Sequence, residues 1–512
     1  MKAPLSSDTC YFHIKTYGKY GSKAKALHVR EDKTHSTSED VFQVLNQIPI
    51  QPIAGLWDVI IENYAMKVTS TYVRGSRVAF LKNTVGEHNV KSLKIPIELH
   101  VLCVYAIPII TLLFTSALCS RQYCCTMASL GPVSTEVCCD IFRELRSQSV
   151  QENVCYSPLL IISTLSMVYI GAKDNTKAQI EKAVHFDKIP GFGESVESQC
   201  GTSVSIHNSL KDVFTQITKP SDNYSVSIAR RLYAEEKYPI LPEYIQCVKE
   251  LYQGGLDSIS FQTAAEKSRE LINSWVESQT NGSIKNILQP SSVSSQTDMV
   301  LVSAIYFNGL WEKAFKEEDT QTVPFRISEQ ESKPVQMMSQ IGTFKVAEIP
   351  SEKCRVLELP YASGRLSLWV LLPDDISGLE QLETAITFEN LNEWTSSNKM
   401  EERKIKVYLP RMKIEETYNL TSVLKSLGIT DLFSSSANLS GISSEESLKV
   451  SGAFHEAFVE IYEAGSRVAG LSGAGVDDPS VSEEFRADHP FLFVIKHNPS
   501  DSVLFFGRCF SP

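Results

Sequence analysis

The segment Glu463–Ser480, EAGSRVAGLSGAGVDDPS, decides how the C-terminal part of this 512-residue chain folds. It contains four glycines, two adjacent aspartates and one proline, and it lies between segments with the composition of ordinary β-strands. Glycine, proline and aspartate favour turns and exposed loops. The segment is therefore either a flexible surface loop or a stretch that can join a sheet and change the fold.

The composition is that of a globular protein with an acidic C-terminal region. The chain is 43% apolar and 21% charged, which is typical of globular domains. Residues 1–126 carry 14 Lys/Arg and 9 Asp/Glu, whereas residues 127–512 carry 35 and 51, a net charge of −16. This charge disfavours binding to nucleic acid or anionic membranes, and it weakens the alternative of a module that binds glycosaminoglycans.

Twelve cysteines are spread along the chain at wide spacings. Five lie in residues 1–126 and seven in residues 127–512, and no pair of CxxC motifs is present. This pattern argues against a disulfide-dense scaffold and against a structural zinc site. We expect mostly buried free thiols with at most one bridge, and neither a metal nor a cofactor.

Residues 1–126 form an atypical N-terminal extension without a clear domain pattern. Their apolar segment 101–120 has no charged residue and is long enough to span a membrane. It could instead be a displaced signal-like core, or residues 1–126 could be a start-site artefact that is absent from the natural protein. We favour the artefact, because regular periodicity begins only at Met127, and we do not expect membrane anchoring through residues 101–120.

From Met127 onward the pattern predicts helices first and strands later, an α+β arrangement with large antiparallel sheets. Helical spacing joins Val137 to Leu145, and a second helix is expected after Ser157, an N-cap followed by Pro158, with its end at Gly171. A further helix is expected over 264–282. The predicted strands are 299–307, 365–373, 404–414 and a C-terminal pair, 491–497 and 502–509, joined by the turn-like tetrad NPSD.

Motifs of catalysis are missing from the sequence. It has no phosphate-binding loop and no GxSxG elbow. His455 begins the stretch HEAFVE, but no second histidine follows at zinc-binding spacing, so we interpret it as a structural histidine. We therefore predict that the chain is not an enzyme. Four N-x-S/T sequons, at Asn223, Asn281, Asn419 and Asn438, would accept glycans if the chain is secreted.

Several stretches together resemble serpin signatures. They are NSWVESQTNGSIKNIL (273–288), LVSAIYFNGLWEKAF (301–315), ELPYASGRLSLWVLLP (358–373) and EEFRADHPFLFVIKH (483–497). The resemblance covers residues 127–512 and is greatest to ovalbumin and the ovalbumin-related group. It implies the serpin fold, with helices followed by three mostly antiparallel β-sheets and an exposed reactive-centre loop. Two positions depart from the family pattern: Ser303, where Asn is usual, and Asn308, where Lys is frequent.

The resemblance makes 463–480 part of the reactive-centre loop and places the scissile bond at Pro479–Ser480. In serpins a protease cuts this loop and forms an acyl-enzyme, and the loop then inserts into the main sheet and traps the protease. The implied hinge residues are Glu463, Gly465, Ser466, Arg467 and Val468. On insertion, strand alternation would turn one set of side chains inward and the other outward. The inward set is Ser466, Val468, Gly470, Ser472 and Ala474, and the outward set is Arg467, Ala469, Leu471 and Gly473.

The loop chemistry is mixed. Ser466 stands where the ovalbumin group has an arginine, whose unpaired burial would oppose insertion. Val468 is bulkier than the usual alanine, the glycines raise the entropy lost on insertion, and most serine proteases do not accept Pro479 before the cut. These features predict a secreted, ovalbumin-like serpin with weak or absent inhibition and a storage role. The alternative is a functional suicide inhibitor of an unusual serine protease that cuts near Pro479–Ser480.

The resemblance also implies modifications and a location. Cys200 and Cys247 match the disulfide of the group, Asn419 and Asn438 match its sequons, with Asn419 the better glycan site, and Ser195 matches a phosphoserine. The apolar helix over 157–173 resembles the uncleaved internal signal of these proteins, so we expect an extracellular monomer. The expected partner, if the loop is functional, is a serine protease; no nucleic acid or membrane is expected.

Overall fold

The computed structural model describes residues 130–189, 204–252, 254–396, 399–464 and 483–512. The domain boundary expected at residues 126/127, the apolar segment 101–120, Ser195, Cys200 and the loop 465–482 lie outside this part of the chain, so the predictions made for them stay predictions.

Helices cover the N-terminal third of the described chain and return between the later strands. They are α1 (Leu130–Gln148), α2 (Pro158–Gly171), α3 (Asp174–Ala183), α4 (Val204–Ile217), α5 (Pro242–Tyr252), α6 (Phe261–Gln279), α7 (Leu379–Thr384), α8 (Phe388–Trp394) and α9 (Thr421–Ser426).

Two sheets contain the strands of the described residues. The first has five strands in the order β10-β11-β4-β2-β3, and the second has nine, in the order β1-β14-β13-β8-β7-β6-β9-β12 with β5 also paired to β6. The strands are β1 (Val154–Tyr156), β2 (Tyr224–Glu235), β3 (Gly255–Ile259), β4 (Met299–Gly309), β5 (Gln321–Arg326), β6 (Ser332–Ile349), β7 (Cys354–Pro360), β8 (Leu366–Pro373), β9 (Glu401–Pro410), β10 (Met412–Asn419), β11 (Gly452–Ile461), β12 (Glu484–Arg486), β13 (Phe491–His497) and β14 (Ser502–Cys509).

The helix expected after Ser157 is confirmed as α2. The Ser157 side chain accepts a hydrogen bond from the Leu160 amide, Pro158 occupies the first helical position, and the helix ends at Gly171. Every residue of α2 is buried, because the helix packs against β14 of one sheet and β4 of the other. An all-round apolar helix thus becomes the layer between the two sheets.

The five-stranded sheet has an apolar core on each face. One face joins the large core that includes α1, α2 and the nine-stranded sheet. The other face is covered by α6 and the segment that follows it, through Val276, Ile284 and Leu288 against Val302 and Phe458. Movement of a strand in this sheet therefore disturbs packing on both sides.

The sequence predicted three sheets, but the described residues form two. The 18-residue strand β6 pairs with β5 along residues 332–337, with β9 along residues 337–346 and with β7 along residues 345–349. Because one long strand belongs to both ladders, two of the three expected sheets are joined into the nine-stranded sheet.

The prediction of a single strand over residues 404–414 is wrong. The strand is interrupted at Arg411: β9 ends at Pro410 and belongs to the nine-stranded sheet, and β10 begins at Met412 and belongs to the five-stranded sheet. The alternation of apolar and basic residues continues across the interruption, and periodicity alone therefore does not reveal it.

The predicted C-terminal strand pair is confirmed as β13 and β14, which Asn498–Asp501 connect.

Within the described residues, no helix is both long and apolar enough to cross a membrane.

The end of α2 and the segment at Gly441 touch through backbone atoms. The Gly441 amide donates to the Gly171 carbonyl at 3.0 Å, and a Cβ on Gly441 would lie 2.7 Å from that oxygen and 2.9 Å from the Gly171 Cα. Backbone atoms at such distances cannot move aside as a flexible side chain can.

We expect Gly441→Ala to lower the free energy of unfolding by about 1–3 kcal/mol, because the added methyl forces a backbone shift. Gly255→Ala is the matched control, since its Cβ would meet its nearest atoms at 3.6 Å or more. Urea unfolding of both variants measures the difference. Equal stability of the two variants would contradict the close approach.

Candidate loop-insertion site

Glu463, the first residue of the predicted hinge, is held in place by an arginine and a threonine. Its carboxylate accepts hydrogen bonds from Arg411 Nη2 at 2.5 Å and Nε at 3.1 Å, and from Thr320 Oγ1 at 2.7 Å. Glu463 is only 4% exposed. Burial alone would raise the pKa of its carboxyl, but the bonds from Arg411 and Thr320 outweigh burial and lower it. Glu463 is therefore a charged anchor at the point where the loop leaves β11.

Trp311 fixes the same point from the side of β4. Its indole Nε1 donates to the Tyr462 carbonyl at 2.7 Å, and its backbone amide donates to the Ala464 carbonyl at 3.0 Å. The indole stacks on Tyr361, with ring centroids 4.6 Å apart. The hinge is thus tied to residues on both sides of the pair β4–β11.

The other end of the loop is anchored on the nine-stranded sheet. The strand β12 pairs in parallel with β9, and Phe485 in its middle is buried. Just before it, the Glu483 carbonyl accepts from the Lys406 amide at 3.0 Å, and its carboxylate lies 3.2 Å from Arg403 Nη1. Residues 465–482 therefore connect two fixed points on different sheets.

The strands β4 and β11 are parallel and directly paired, and we call this pair the insertion seam. Nine residue pairs form it, from Gly452↔Val300 to Glu460↔Asn308. A chain that turns back after β11 would run antiparallel to β11, and therefore antiparallel to β4 as well. Of the described strand pairs that involve β11, only the seam consists of two parallel strands. Only there could the loop enter as a strand that is antiparallel to the neighbours on both sides.

The seam is bridged near its middle by His455, which pairs with Ser303 as the fourth of the nine residue pairs. Its Nε2 accepts from the Ser157 amide at 3.0 Å, so Nδ1 carries the proton and donates to Ser303 Oγ at 2.9 Å. Ser303 Oγ also lies 3.3 Å from the Phe454 carbonyl, to which it donates. These bonds join β4, β11 and the start of α2, and they confirm His455 as a structural histidine.

The end of the seam next to the predicted hinge is bridged by Glu460 and Tyr462. Glu460 Oε2 accepts from Tyr306 at 2.7 Å and lies 3.4 Å from Asn308 Nδ2. Tyr462 in turn donates to Asn308 Oδ1 at 2.8 Å. Opening the seam therefore requires the loss of side-chain bonds near its middle and at its hinge end, as well as the backbone ladder.

The structure describes only part of the predicted site. Of the hinge residues, Glu463 is described, whereas Gly465, Ser466, Arg467 and Val468 lie in 465–482 together with Pro479 and Ser480, outside the described residues. Sequence reasoning missed Arg411, Thr320 and Trp311, which hold the hinge although they are distant from it in sequence. It noted Ser303 and Asn308 as departures from the family pattern but not that both bridge the seam.

Cysteines in the described residues are buried. Cys138, Cys139, Cys155, Cys354 and Cys509 are free thiols, and burial raises the pKa of each, to about 12 for Cys139 and Cys354. Such thiols are poorly reactive. Cys247 is disulfide-bonded; Cys200, its expected partner, lies outside the described residues, so the pairing stays a prediction.

The two sequons matched to the ovalbumin group differ in accessibility. Asn419 is exposed at the end of β10, and its side-chain oxygen accepts from the amide and hydroxyl of Thr421. Asn438 is half-buried, and its Nδ2, the atom to be glycosylated, donates to Asp174 at 2.7 Å.

Acidification should weaken the folded state through His455. Burial lowers the pKa of His455 from 6.5 to about 3, so the unfolded chain binds a proton between these pH values and the folded chain does not. Stability is therefore fully present above pH 6.5 and falls by about 1.4 kcal/mol per pH unit as pH drops towards 3. Burial also lowers the pKa of His207 to about 3 and of His497 to about 4, which adds to the slope.

We expect His455→Gln to reduce this slope by about 1.4 kcal/mol per unit between pH 6 and 4, measured by urea unfolding. Ser303→Ala is the control, because it removes a bond to His455 but no titratable group: its cost should be about 1–2 kcal/mol and independent of pH. A slope unchanged in His455→Gln would show that this histidine does not titrate on unfolding.

Comparisons with known proteins agree on one family. A family model described as Serpin (serine protease inhibitor) matches residues 132–512. Ovalbumin of Dromaius novaehollandiae is 70% identical over 386 residues, which are 75% of this chain and 100% of ovalbumin. The crystal structure of uncleaved ovalbumin is 67% identical, with a TM-score of 0.70, and covers 75% of this chain and 100% of its own.

A further ovalbumin structure shows an inserted loop. It is the loop-inserted structure of a cleaved ovalbumin mutant in which threonine replaces an arginine, 64% identical with a TM-score of 0.67, and it also covers 75% of this chain and 100% of its own. The prediction of the serpin fold is confirmed by the family model and by the ovalbumin structure, and the prediction of a non-enzymatic protein is confirmed because serpins are not catalysts. The chain belongs to the serpin family and is similar to ovalbumin.

Proposed function

We propose that this protein is an ovalbumin-like, secreted serpin whose reactive-centre loop inhibits serine proteases weakly or not at all, and that its role is storage. The observation that carries the proposal is the insertion seam, which is closed along nine residue pairs and bridged by side chains near its middle and at its hinge end. Inhibition depends on a race between loop insertion and hydrolysis of the acyl bond. A seam that opens slowly favours hydrolysis and release of the protease.

The loop sequence supports the same conclusion. Pro479 before the predicted scissile bond lacks a backbone N–H and has a fixed φ, which few serine proteases accept. Val468 would have to enter tightly packed space between strands. Gly470 and Gly473 each cost about 0.5–1 kcal/mol relative to alanine when they become strand residues. Each feature slows the cut or the insertion.

Insertion after cleavage remains available to this loop. The ovalbumin with an inserted loop has lost an arginine, and the ovalbumin group carries an arginine at the position of Ser466; we infer that the two are the same position. Ser466 is small and uncharged, so no unpaired charge would be buried on insertion. The parallel strands of the seam provide the two edges that the inserted segment would need.

We expect elastase-like, subtilisin-like and prolyl-cleaving proteases to cut the full 512-residue chain within 465–482 without forming a complex stable in denaturing gels. The cleaved product should melt at least about 10 °C higher, because the inserted strand adds two ladders of hydrogen bonds. Ser466→Arg should be cut equally well but should lose this rise in melting temperature.

A protease–serpin band that survives denaturation would contradict the proposal and support the alternative, a suicide inhibitor that acts near Pro479–Ser480. The combination of cleavage, no complex and no rise in melting temperature would instead show that the loop does not insert.

Secretion and glycosylation follow from the same proposal. Expressed in a secretory eukaryotic cell, the chain should appear in the medium with a glycan on Asn419, because that side chain is exposed whereas Asn438 donates to Asp174. Asn419→Gln should abolish the mobility shift caused by a glycan-removing enzyme, and Asn438→Gln should leave it unchanged. Retention of the chain inside the cell, or loss of the shift only in Asn438→Gln, would contradict this.

A further inference from the structure

A cleft lies beside the edge of the five-stranded sheet that is remote from the insertion seam. The strand β3 pairs only with residues 231–235 of β2, so residues 224–230 of β2 have no strand on that side within the described chain. The cleft along this edge has a volume of about 300 Å³, and it lies between β2, α4, the end of α5 and α6. This size suits a small organic molecule.

Arg230 lines the cleft without a carboxylate partner among the described residues. Its guanidinium donates to Ser163 Oγ at 2.6 Å and to the Tyr252 carbonyl at 2.5 Å, both neutral acceptors. It also lies over the Phe214 ring, 4.4 Å from the centroid. Burial lowers the pKa of Arg230 to about 10, yet the group stays cationic at neutral pH. Its charge is therefore uncompensated in the described structure.

Arg231, the next residue, borders the cleft from the opposite face of β2, because successive side chains of a strand point to opposite faces. Its Nη1 bonds to Asp257 at 2.5 Å, and its guanidinium stacks over Trp275, 4.3 Å from the ring centroid. Its Nε is buried and has no hydrogen-bond partner in the described structure. The Arg231 side chain is therefore held on the α6 face of the sheet and is not part of the anion subsite at Arg230.

The remaining walls define the rest of the ligand. Lys211 adds a third positive charge, whereas no acidic side chain is among the residues that line the cleft. Apolar and aromatic surface is contributed by Phe214, Val226, Ile228, Leu251, Tyr252 and Trp275. A basic, aromatic-walled cleft in a region with a net charge of −16 is a local exception that bulk charge does not explain.

We propose that this cleft binds a small organic anion with a flat apolar body, such as an aryl carboxylate. The carboxylate would accept hydrogen bonds from Arg230, in the manner of an arginine–carboxylate pair, with the charge of Lys211 nearby on α4. The apolar body would pack against Phe214 and Ile228, which lie on the same face of the sheet as Arg230. This site is separate from the reactive-centre loop and does not depend on whether the protein inhibits a protease.

Isothermal titration of the full-length chain with 1-naphthoate tests the site. We expect binding of one molecule per chain, weakened at least about tenfold by Arg230→Gln and about threefold or more by Lys211→Gln. Lys219→Gln, an exposed lysine beyond the end of α4, is the matched control and should bind as the original chain does. The neutral analogue 1-naphthalenemethanol should bind at least tenfold more weakly than the anion.

Lys211→Gln keeps the test valid if Arg230→Gln fails to fold, because Lys211 is only half-buried. The proposal is overturned if 1-naphthoate shows no saturable binding at millimolar concentration, or if the neutral analogue binds equally well. It is also overturned if Lys211→Gln and Lys219→Gln weaken binding to the same extent, since the attraction would then come from general surface charge.

Discussion

The parallel pairing of β4 and β11 is the constraint on which the behaviour of the loop depends. In a sheet whose β4–β2 and β10–β11 pairs are antiparallel, this parallel pair is complete in itself yet can accept an antiparallel strand between its members. Both strands pack on cores on two faces of the sheet. Separation of the two strands therefore disturbs two cores at once, which makes the opening cooperative rather than gradual.

The hydrogen bonds around the predicted hinge fall into two groups: those that can persist when the seam opens and those that must break. Arg411 directly precedes β10, which pairs with β11, so its bond to Glu463 lies on one side of the seam and need not break. The bonds from Trp311 to Tyr462 and Ala464 cross from β4 to β11 and must break. Glu463 can thus keep its bonds to Arg411 when the seam opens, whereas the hydrogen bonds of Trp311 stabilise the closed seam.

Local chemistry predicted much of this fold, and long-range contacts account for what it missed. Ser157 and Pro158 set the start of α2, and strand-like composition located β4 and the C-terminal pair. The break at Arg411 was missed because apolar alternation continues through it. The partners of Glu463 are 52 and 143 residues away in sequence, and no local pattern links them. Ser303 and Asn308 drew notice only by comparison with the family, and their role became clear only from the register of the seam.

Under the proposed function, the balance between opening and insertion would let one fold keep the driving force for loop insertion and still inhibit proteases weakly. Each neutral side-chain bond across the seam contributes about 1 kcal/mol and bonds to the Glu460 carboxylate about twice that, so the bridges add several kcal/mol to the barrier for opening. Because these bonds are lost when the loop enters, they also lower the gain from insertion, but two new ladders in place of one can still exceed that loss. The bridges and the loop glycines therefore both act on the rate and on the gain. A serpin whose loop insertion is slowed by such bridges still has a driving force for insertion after hydrolysis has released the protease. A serpin that must bury a charge on insertion loses the driving force itself.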